Sequence, residues 1–362
     1  MPPTGDPLTR HYRRLLLCYP RSYRRDRGEE ILGLLLDTAP AGRIRPTVRE
    51  AFDVVRNGLR CRLGRPTSRT VGVWAVLTAV ICGLFTAAAA SRVAWETSRP
   101  QPDRAEAAAI FADALPGRSI GQIETAPALF VFYGEPFRWQ ALDDMLFGDG
   151  GEYQPGFASA SATGLPPVPV EQTLAVTRQH LRASGWRIYE TVSRADRECV
   201  SACDPPVALT DTTLVASRGD TVFRMTLFAE GGPNPTNAAL EVQRAAPPAV
   251  VPAAVLAGLV GGVLAWLVFG WASRRTEYRP GVALPFGITM FLWWLPVLLA
   301  IPSLIGHQRA EPHPDWHPLW EWLGQPTGSL FFLIGTVCAL IVLGCSAVPR
   351  RDTAPLRTIA TG

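Results

Sequence analysis

The sequence predicts a membrane protein that is mainly α-helical, with four transmembrane helices, a small cytoplasmic three-helix N-terminal domain and an α+β extracytoplasmic domain. Three observations lead to this prediction: long stretches without charged residues, an alternation of basic and acidic segments between them, and strand-like patterns confined to one long segment. The predicted boundaries, in chain order, are 1–69 for the cytoplasmic helical domain, 70–93 for transmembrane helix 1, 94–248 for the extracytoplasmic domain, 249–272 for transmembrane helix 2, 283–306 for transmembrane helix 3, 307–327 for an outer loop with an interfacial helix, 328–348 for transmembrane helix 4 and 349–362 for a cytoplasmic tail.

The transmembrane helices are predicted from four stretches that contain no Asp, Glu, Lys or Arg, at 70–91, 245–273, 280–308 and 322–349. The shortest of them has 22 residues. At 1.5 Å per residue, a helix of that length measures about 33 Å and crosses a hydrocarbon core of roughly 30 Å. Buried helices of soluble proteins seldom run so far without a charge, so we expect each stretch to span the cell membrane.

The orientation of these spans is predicted from charge. Residues 1–70 hold 15 Arg against 7 acidic residues, a net charge of +8, whereas residues 96–248 hold 12 Arg against 19 acidic residues, a net charge of −7. Basic segments flanking membrane spans stay on the cytoplasmic side. We therefore expect both termini in the cytoplasm and the long segment between the first two spans outside.

Three short helices are predicted in the N-terminal domain. Apolar residues recur at three- and four-residue spacing from Leu8 to Tyr19, and Pro20 ends this first helix. A second helix is predicted over 28–38, and a third begins at Thr47, which with Glu50 forms a capping box. The apolar residues expected to face the core of this domain are Leu8, Tyr12, Leu15, Leu16, Tyr19, Ile31, Leu32, Leu35, Leu36, Val48, Phe52, Val55, Leu59 and Leu63.

Arginine is concentrated in the segment RLLLCYPRSYRRDRGEEILGLLLDTA, residues 14–39, and in the residue before it. The chain contains no Lys, so all 35 of its basic residues are Arg. We expect a membrane- or partner-facing basic surface outside the apolar core, in contact with anionic lipid headgroups or with an acidic cytoplasmic protein. Nucleic acid is not an expected partner, because no helix-turn-helix or zinc-finger signature accompanies the charge. The residues of this surface are Arg13, Arg14, Arg21, Arg24, Arg25 and Arg27.

The same segment, followed by GRIRPTVREAFDVVRNGLRCRLG, resembles the N-terminal helical domain of actinobacterial membrane proteins related to the permease-prefix and HAAS-type domains. The resemblance covers about residues 8–65. In such families the domain precedes assorted membrane parts, sometimes beside a transcriptional regulator of the PadR type. The resemblance therefore implies regulation or assembly and supplies no catalytic residues. The matching positions are Leu15, Tyr19, Pro20, Tyr23, Arg24, Gly28, Glu29, Glu30, Leu35, Arg49, Glu50, Asp53 and Gly58.

The segment 94–248 reads as an α+β domain with an antiparallel sheet. Helices are predicted over 103–114, opened by Asp103 and Glu106 in a capping-box pattern, and over 170–184, closed by Gly185. Residues 147–169, rich in Gly, Ser, Ala and Pro, are interpreted as a mobile loop. Strands are predicted over 128–133, 186–192, 212–217, 221–229 and 239–244, with a hairpin turn at Arg218-Gly219-Asp220 between the third and the fourth.

Two of the seven cysteines, Cys199 and Cys203, fall in the segment predicted to be outside. The compartment is oxidising, so we expect them to form a disulfide. It closes a five-residue loop, and loop-closure entropy gives such a bond about 2 kcal/mol at most.

The outer loop HQRAEPHPDWHPLWEWLG, residues 307–324, combines histidine with tryptophan. Trp316, Leu319, Trp320 and Leu323 are spaced i, i+3, i+4, i+7, which predicts a short helix in the lipid headgroup region. His307, His313 and His317 are the candidate ligands if the loop instead binds a divalent metal. We expect interfacial anchoring, and we expect no metal and no cofactor.

The function predicted from these features is that of a noncatalytic multi-pass membrane protein, acting in signalling or assembly, that couples the outer domain to the cytoplasmic helical domain. His180 is the only histidine of 94–248, and no Gly-x-Ser-x-Gly motif is present, so an enzyme is not expected. The alternatives are a permease subunit or transporter accessory protein, and an enzyme at the outer face. Gly258 and Gly262 have the spacing of close helix contacts. Packing against a span of the same chain is the preferred interpretation of this pair, with a homo-oligomer as the alternative.

Overall fold

The computed structural model is a mixed α+β fold, described for residues 7–40, 42–64, 68–132, 135–136, 139, 151–165, 167–196, 209–230, 234–276, 280–310, 318–323 and 330–348. The chain divides into two compact units. Unit 1 comprises Met1–Leu84, Leu259–Trp293 and Ile334–Gly362, and unit 2 comprises Phe85–Gly258 and Trp294–Leu333. The division falls inside long helices rather than at their ends, and the domain boundaries expected from the sequence stay predictions.

The described part of unit 1 is helical, and unit 2 contains both helices and strands. Short 3₁₀ helices occur at Leu16–Cys18 and Leu319–Leu323. The α-helices are α1 (Pro7–Leu15), α2 (Arg21–Asp37), α3 (Val48–Arg62), α4 (Arg69–Trp95), α5 (Arg104–Ala114), α6 (Val170–Ala183), α7 (Val250–Thr276), α8 (Pro280–Ala310) and α9 (Leu330–Ala347).

The first three helices, here called the head, share one apolar core. α2 begins at Arg21, directly after Pro20, so the predicted start at residue 28 is wrong. Apolar periodicity is missing from this first part of α2, but arginine is a good helix former and extends the helix without it. The buried residues of the head core are Leu8, Tyr12, Leu16, Tyr19, Leu32 and Val54.

α3 begins as predicted but turns a different face inward. Thr47 accepts from the backbone N–H of Glu50, and the Glu50 side chain accepts from the backbone N–H of Thr47, which confirms the capping box. Val48 and Phe52 are 88% and 63% exposed, so their predicted core positions are wrong. Gly58 is buried in their place. It lies so close to the 3₁₀ helix that a Cβ on it would be 2.9 Å from Cys18 Cβ. This close approach of α3 to the 3₁₀ helix at Leu16–Cys18 rotates the apolar stripe out of the core.

Two of the long helices have the length and composition of membrane spans. α4 and α7 have 27 residues each, with mean hydropathies of 2.1 and 2.2. Thr86 Oγ1 donates to the carbonyl of Ala257 at 3.1 Å, and a Cβ on Gly262 would lie 3.2 Å from the carbonyl oxygen of Ala79. Gly262 thus packs against a helix of the same chain, as preferred from the sequence, while a homo-oligomer through Gly258 and Gly262 stays a prediction.

The sheet of unit 2 is antiparallel, as predicted. Its strands run in the order β1-β6-β11-β10-β9-β7, with β2 paired to β6 and β8 paired to β9, and a smaller sheet has the order β4-β3-β5. Side chains of α5 and α6 pack on the larger sheet in one core, which includes Phe111, Leu181 and Phe223. The strands are β1 (Ser119–Ile120), β2 (Glu124–Ala126), β3 (Leu129–Phe132), β4 (Glu135–Pro136), β5 (Gly151–Gln154), β6 (Phe157–Thr163), β7 (Arg187–Ile188), β8 (Val192–Asp196), β9 (Leu209–Arg218), β10 (Thr221–Glu230) and β11 (Asn237–Arg244).

The segment 147–169 contains two strands, so its interpretation as a loop is wrong. β5 pairs with β3, and β6 pairs with β11 over six residues. In β6, FASASAT, the residues Ala158, Ala160 and Ala162 are buried and alternate with Ser and other outward residues. The period of two is present in the sequence, but Ala and Ser are not the β-branched or aromatic residues that mark a strand. The predicted strand over 186–192 is likewise two strands, β7 and β8.

We predict that Gly58→Ala destabilises the head while Gly33→Ala does not. The new methyl group at residue 58 would overlap Cys18 and Tyr19, whose Cδ2 also lies 2.9 Å from it, and overpacking of this kind costs about 1–3 kcal/mol. Gly33 lies inside α2 with no neighbouring atom within 4 Å of the added Cβ, so the change there should stabilise the helix by about 0.5–1 kcal/mol. Hydrogen exchange of the head amides in the purified full-length protein measures both effects. Equal protection in the two variants would contradict the close approach at Gly58.

Candidate functional site

The six arginines expected to form the basic surface lie on α1 and α2, outside the core of the head. Five of them are exposed, and Arg24 is half-buried. Arg13 Nη2 lies 3.4 Å from Glu29 Oε1, with the two side chains 62% and 84% exposed. An ion pair as exposed as this contributes little to stability. These arginines are therefore available to another molecule, and their contact with lipid or with a protein stays a prediction.

Glu50 connects three parts of the head. Its carboxylate accepts from Arg43 Nη1 at 2.8 Å, from the backbone N–H of Thr47 at 2.9 Å and from the Tyr12 hydroxyl at 3.2 Å. The bond from the Thr47 backbone, followed by that from Arg43, lowers the pKa of Glu50. Burial and the neighbouring carboxylate raise the pKa of Tyr12, so this phenol stays a hydrogen-bond donor. One side chain thus fixes the start of α3 against α1.

Arg62 attaches the end of α3 to the 3₁₀ helix that follows α1. Its Nε donates to the carbonyl of Cys18 at 2.6 Å, and its Nη2 donates to the carbonyls of Leu17 at 2.9 Å and Tyr19 at 3.4 Å. The last carbonyls of a helical segment have no partner within the helix, and a guanidinium supplies several donors in a fixed fork. This role could not be read from the sequence, because Arg62 is one of many arginines and its acceptors lie 43–45 residues away.

The last turn of α3 also contacts α7. Arg274 Nη1 donates to the carbonyl of Arg62. A Cβ on Gly270 would lie 2.9 Å from that same carbonyl oxygen, and one on Gly64 would lie 3.2 Å from Arg274 Cα. Two glycines therefore let the end of α3 approach α7 at backbone distance. This contact, here called the head joint, links the head to one of the two long apolar helices.

A groove with a volume of about 550 Å³ lies between α1 and α3. Val48, Phe52 and Val55 provide its apolar surface. His11, Arg14 and Arg45 contribute the ionisable side chains among the described lining residues, so its rim is basic. The exposed face of α3 is thus part of a defined concave surface. Its remaining lining residues are Leu15, Pro46, Thr47 and Ala51.

In unit 2, a buried arginine joins parts of the chain that lie far apart in sequence. Arg244, at the end of β11, has a side chain only 4% exposed. It donates to both carboxylate oxygens of Glu106 at 2.9 and 2.7 Å, to Thr221 Oγ1 at 2.7 Å and to the carbonyl of Pro100 at 2.9 Å. The carboxylate of Glu106 therefore binds Arg244 and does not complete the expected capping box. Asp103 alone caps α5, by accepting from the backbone N–H of Glu106.

The Arg218-Gly219-Asp220 segment is the hairpin turn between β9 and β10, as predicted. Arg218 pairs with Thr221, and Gly219 has a φ of +62°. Arg99 binds the turn: its Nε and Nη2 donate hydrogen bonds to the two carboxylate oxygens of Asp220, at 2.5 and 2.6 Å. These bonds lower the pKa of Asp220. The tripeptide is therefore accounted for by turn geometry and an ion pair.

A cavity of about 500 Å³ adjoins these pairs. Arg99, Glu106, Asp113 and Arg218 are the charged residues among its described lining residues. Arg99 and Glu106 are bound to Asp220 and Arg244, Asp113 accepts from Ser184 Oγ at 2.7 Å, and Arg218 donates to the carbonyl of Ser184 at 3.1 Å. Each of these charged groups already has a partner in the chain, which is typical of a structural network.

Trp320 lies in an aromatic cluster and is fully buried. Its ring makes edge-to-face contacts with Trp95, at 5.6 Å between centroids, and with Tyr153, at 6.3 Å. Arg92 Cζ lies 5.3 Å from the centroid of the same ring, and Arg92 Nη1 is 2.5 Å from Glu96 Oε1. The cluster joins the Leu319–Leu323 3₁₀ helix to the end of α4 and to β5. We name it the tryptophan cluster.

The tryptophan cluster corrects one expectation from the sequence. Trp320 was expected to face lipid headgroups from an α-helix, but it packs inside the protein from a 3₁₀ helix. A 3₁₀ helix has three residues per turn, so the i, i+4 and i+7 spacing of the sequence does not define one face here. Trp316 lies outside the described residues, and the interfacial placement of the loop stays a prediction.

The other predicted site residues fall largely outside the described part of the chain. The described residues do not include Cys199, Cys203, His313 or His317, and His307 belongs to α8. Among the described residues, no three His, Cys, Asp or Glu side chains come together in a group suited to a metal ion. The disulfide and the metal alternative both stay predictions.

The comparisons with known proteins add no relative: no protein-family model matches the chain, and no curated protein and no solved structure is detectably similar to it.

We predict that Arg244→Met destabilises the larger sheet of unit 2 by about 2–4 kcal/mol. Breaking a buried pair by removing one partner costs about 3–5 kcal/mol, and the loss here is smaller because Glu106 keeps 39% exposure. Arg99→Met is the matched control, since it removes a bidentate pair in which both side chains are exposed, and its effect should be much smaller. Hydrogen exchange of β10 and β11 in the full-length protein measures the difference. A control variant as destabilised as Arg244→Met would show that the burial of Arg244 has no special role.

Proposed function

We propose that this protein is a noncatalytic multi-pass membrane protein that couples an outer α+β domain to a cytoplasmic helical head, in signalling or in assembly. The single observation on which the coupling rests is the tryptophan cluster. The proposal includes four membrane spans, both termini in the cytoplasm, a Cys199–Cys203 disulfide in the outer domain and a basic head surface that meets lipid or an acidic partner.

The membrane placement is supported by the surfaces of the long helices. Large apolar residues on α4, α7, α8 and α9 are exposed, although such side chains are buried in a helix packed inside a soluble protein. In α7, only 6% of the most apolar window is buried. A surface of this kind is stable in hydrocarbon. Together with the alternation of basic and acidic segments, it favours spans at all four apolar helices.

The coupling is supported by what the tryptophan cluster connects. Trp95 is the last residue of α4, Tyr153 belongs to β5, and Trp320 lies in the segment between α8 and α9. A displacement of β5 would therefore move Trp320, in the segment between α8 and α9, and through it the end of α4. Edge-to-face aromatic pairs have defined geometry, and a well-packed cluster transmits strain rather than absorbing it.

The head joint provides the second half of the connection. Arg62 is bonded to the last carbonyls of the first helical segment, and its own carbonyl is bonded to Arg274 of α7. The head is consequently held by α7 as well as by its covalent link to α4. A change in the position of α7 relative to α4 would act on both attachments.

We predict an N-in, C-in topology with four spans. Reporter fusions after Arg65, Arg275 and Arg351 should give a cytoplasmic signal, and fusions after Gly232 and Glu311 should give an outside signal, because basic segments flank the membrane on the cytoplasmic side. Measurement of paired reporters, one active in each compartment, provides the internal control. An outside signal after Arg65 or Arg351 would rule out this topology and the coupling that depends on it.

We predict that Trp320→Ala, a substitution in the segment between α8 and α9, loosens the distant head joint. Removing a buried Trp leaves a cavity that costs about 3–5 kcal/mol locally, and the loosened end of α4 should speed exchange at residues 58–64. Coupling between distant sites is typically 1–3 kcal/mol, so we expect about a fivefold or larger increase in the exchange rate of these amides. Full-length protein in nanodiscs is the sample for hydrogen-exchange mass spectrometry.

Trp139→Ala is the control for this experiment, because Trp139 is 79% exposed in the outer domain. It removes a side chain of the same size without opening a buried cavity, and exchange at residues 58–64 should not change. Trp320→Ala could accelerate exchange near Trp95 and Tyr153 and leave exchange at residues 58–64 as in the wild type. In that case the tryptophan cluster and the head joint are not coupled, and the proposed function is wrong.

A further inference from the structure

The groove between α1 and α3 has an apolar surface with the spacing of a helix-packing face. Val48, Phe52 and Val55 are related by four and three residues, so they form one stripe along α3. Such stripes normally meet another helix, with ridges of side chains set into grooves. Here Val48 is 88% exposed and Phe52 is 63% exposed. The structure therefore leaves a helix-packing face open to solvent.

The contact of α3 with α7 lies at the end of the helix opposite to Val48. The head joint involves the carbonyl of Arg62, 14 residues beyond Val48, which at 1.5 Å per residue is about 21 Å along the helix. Glu50 and the capping box fix the start of α3 against α1 without covering Val48 or Phe52. The groove is thus presented by an element held at both ends.

The charge around the groove selects its occupant. His11, Arg14 and Arg45 line it, and none of its described lining residues is acidic. A second copy of the head would bring the same excess of arginine, since residues 1–70 have a net charge of +8. The C-terminal segment 349–362 is also basic, with Arg350, Arg351 and Arg357 against Asp352. Like charges placed opposite each other oppose association, so the occupant must be acidic.

The shape of the groove decides between the two acidic surfaces available in a cytoplasm, a protein and an anionic bilayer. A bilayer surface is flat on this scale, whereas the groove is concave, with α1 and α3 as its walls. An amphipathic helix fills a groove between two helices, and its apolar residues at i, i+3, i+4 and i+7 match the stripe on α3. We propose that this groove binds an acidic amphipathic helix of a cytoplasmic partner protein.

This inference rests on the proposed function only in placing the head in the cytoplasm. The binding measurement below uses no readout of coupling, and the Trp320→Ala experiment uses no peptide, so each can fail without the other. Binding would add a fourth helix to the head and bury Phe52, and it would do so beside the basic residues on α1.

The test uses the full-length protein in nanodiscs of phosphatidylcholine and a labelled synthetic peptide of about 18 residues, five helical turns, with Leu on one face and Glu elsewhere. We expect it to bind at least about tenfold more tightly than a peptide of the same composition in scrambled order, which has no apolar face. Phe52→Ser should lower the affinity at least about tenfold, and added salt should weaken binding to the wild type. Leu34→Ser is the matched control, because Leu34 is 65% exposed on α2 and does not line the groove, and it should bind as the wild type does.

Two results would overturn the proposal. One is equal binding of the amphipathic and the scrambled peptide, or of the wild type and Phe52→Ser; far-UV circular dichroism should confirm that Phe52→Ser keeps its helix content. The other is lipid occupancy. A photoreactive amino acid placed at Val48 should crosslink to the peptide, and if in phosphatidylglycerol nanodiscs without peptide it crosslinks to lipid instead, an anionic bilayer is the occupant.

Discussion

The arrangement of the head depends on the bonds made by Arg62. Its guanidinium satisfies the backbone carbonyls of Leu17, Cys18 and Tyr19, and its own carbonyl accepts from Arg274. The first set of bonds closes the end of the first helical segment, where carbonyls have no partner of their own and the helix dipole is negative. The second bond ties the same residue to α7. A lysine could not replace it, because a single ammonium has no planar fork to span three carbonyls.

Close approach at glycine makes the Arg62 geometry possible. Gly58 brings α3 against the 3₁₀ helix that carries the acceptor carbonyls, and Gly270 brings α7 against the Arg62 carbonyl. The same rotation of α3 that buries Gly58 carries Val48 and Phe52 outward. The exposure of the apolar face of α3 is therefore a consequence of the close packing at Gly58. In unit 2, Arg244 and Arg99 act in a similar way, since each binds segments of the chain that are far apart in sequence.

The elements that were predicted correctly from the sequence are those specified by local chemistry. These elements are the capping box at Thr47 and Glu50, the helix predicted over 103–114 and observed at Arg104–Ala114, the Gly219 turn and the last strand, and each needs only a short stretch to define it. The errors had two causes: a contact with residues distant in sequence, or a strand built of small residues. The inward face of α3 was set by Gly58 and residues of the preceding helical segment, β6 was hidden by its small residues, and Trp320 was drawn inside by Trp95 and Tyr153. Charge counts could suggest where arginines collect, but not that Arg62 and Arg244 are the ones with structural partners.

Units 1 and 2 differ in how their charged side chains are paired. In unit 2, Arg244 and Arg99 each form a bidentate pair with a carboxylate, so these charges hold segments of the chain together. On the head, Arg14 and Arg45 stand beside an open apolar face with no acidic residue among the described lining residues of the groove. Unmatched charge beside exposed apolar surface favours association with a complementary molecule, whereas matched charge favours a fixed structure. The paired arginines of unit 2 thus favour a fixed structure there, whereas the basic, apolar groove of the head favours recognition of another molecule, and both are consistent with the proposed coupling.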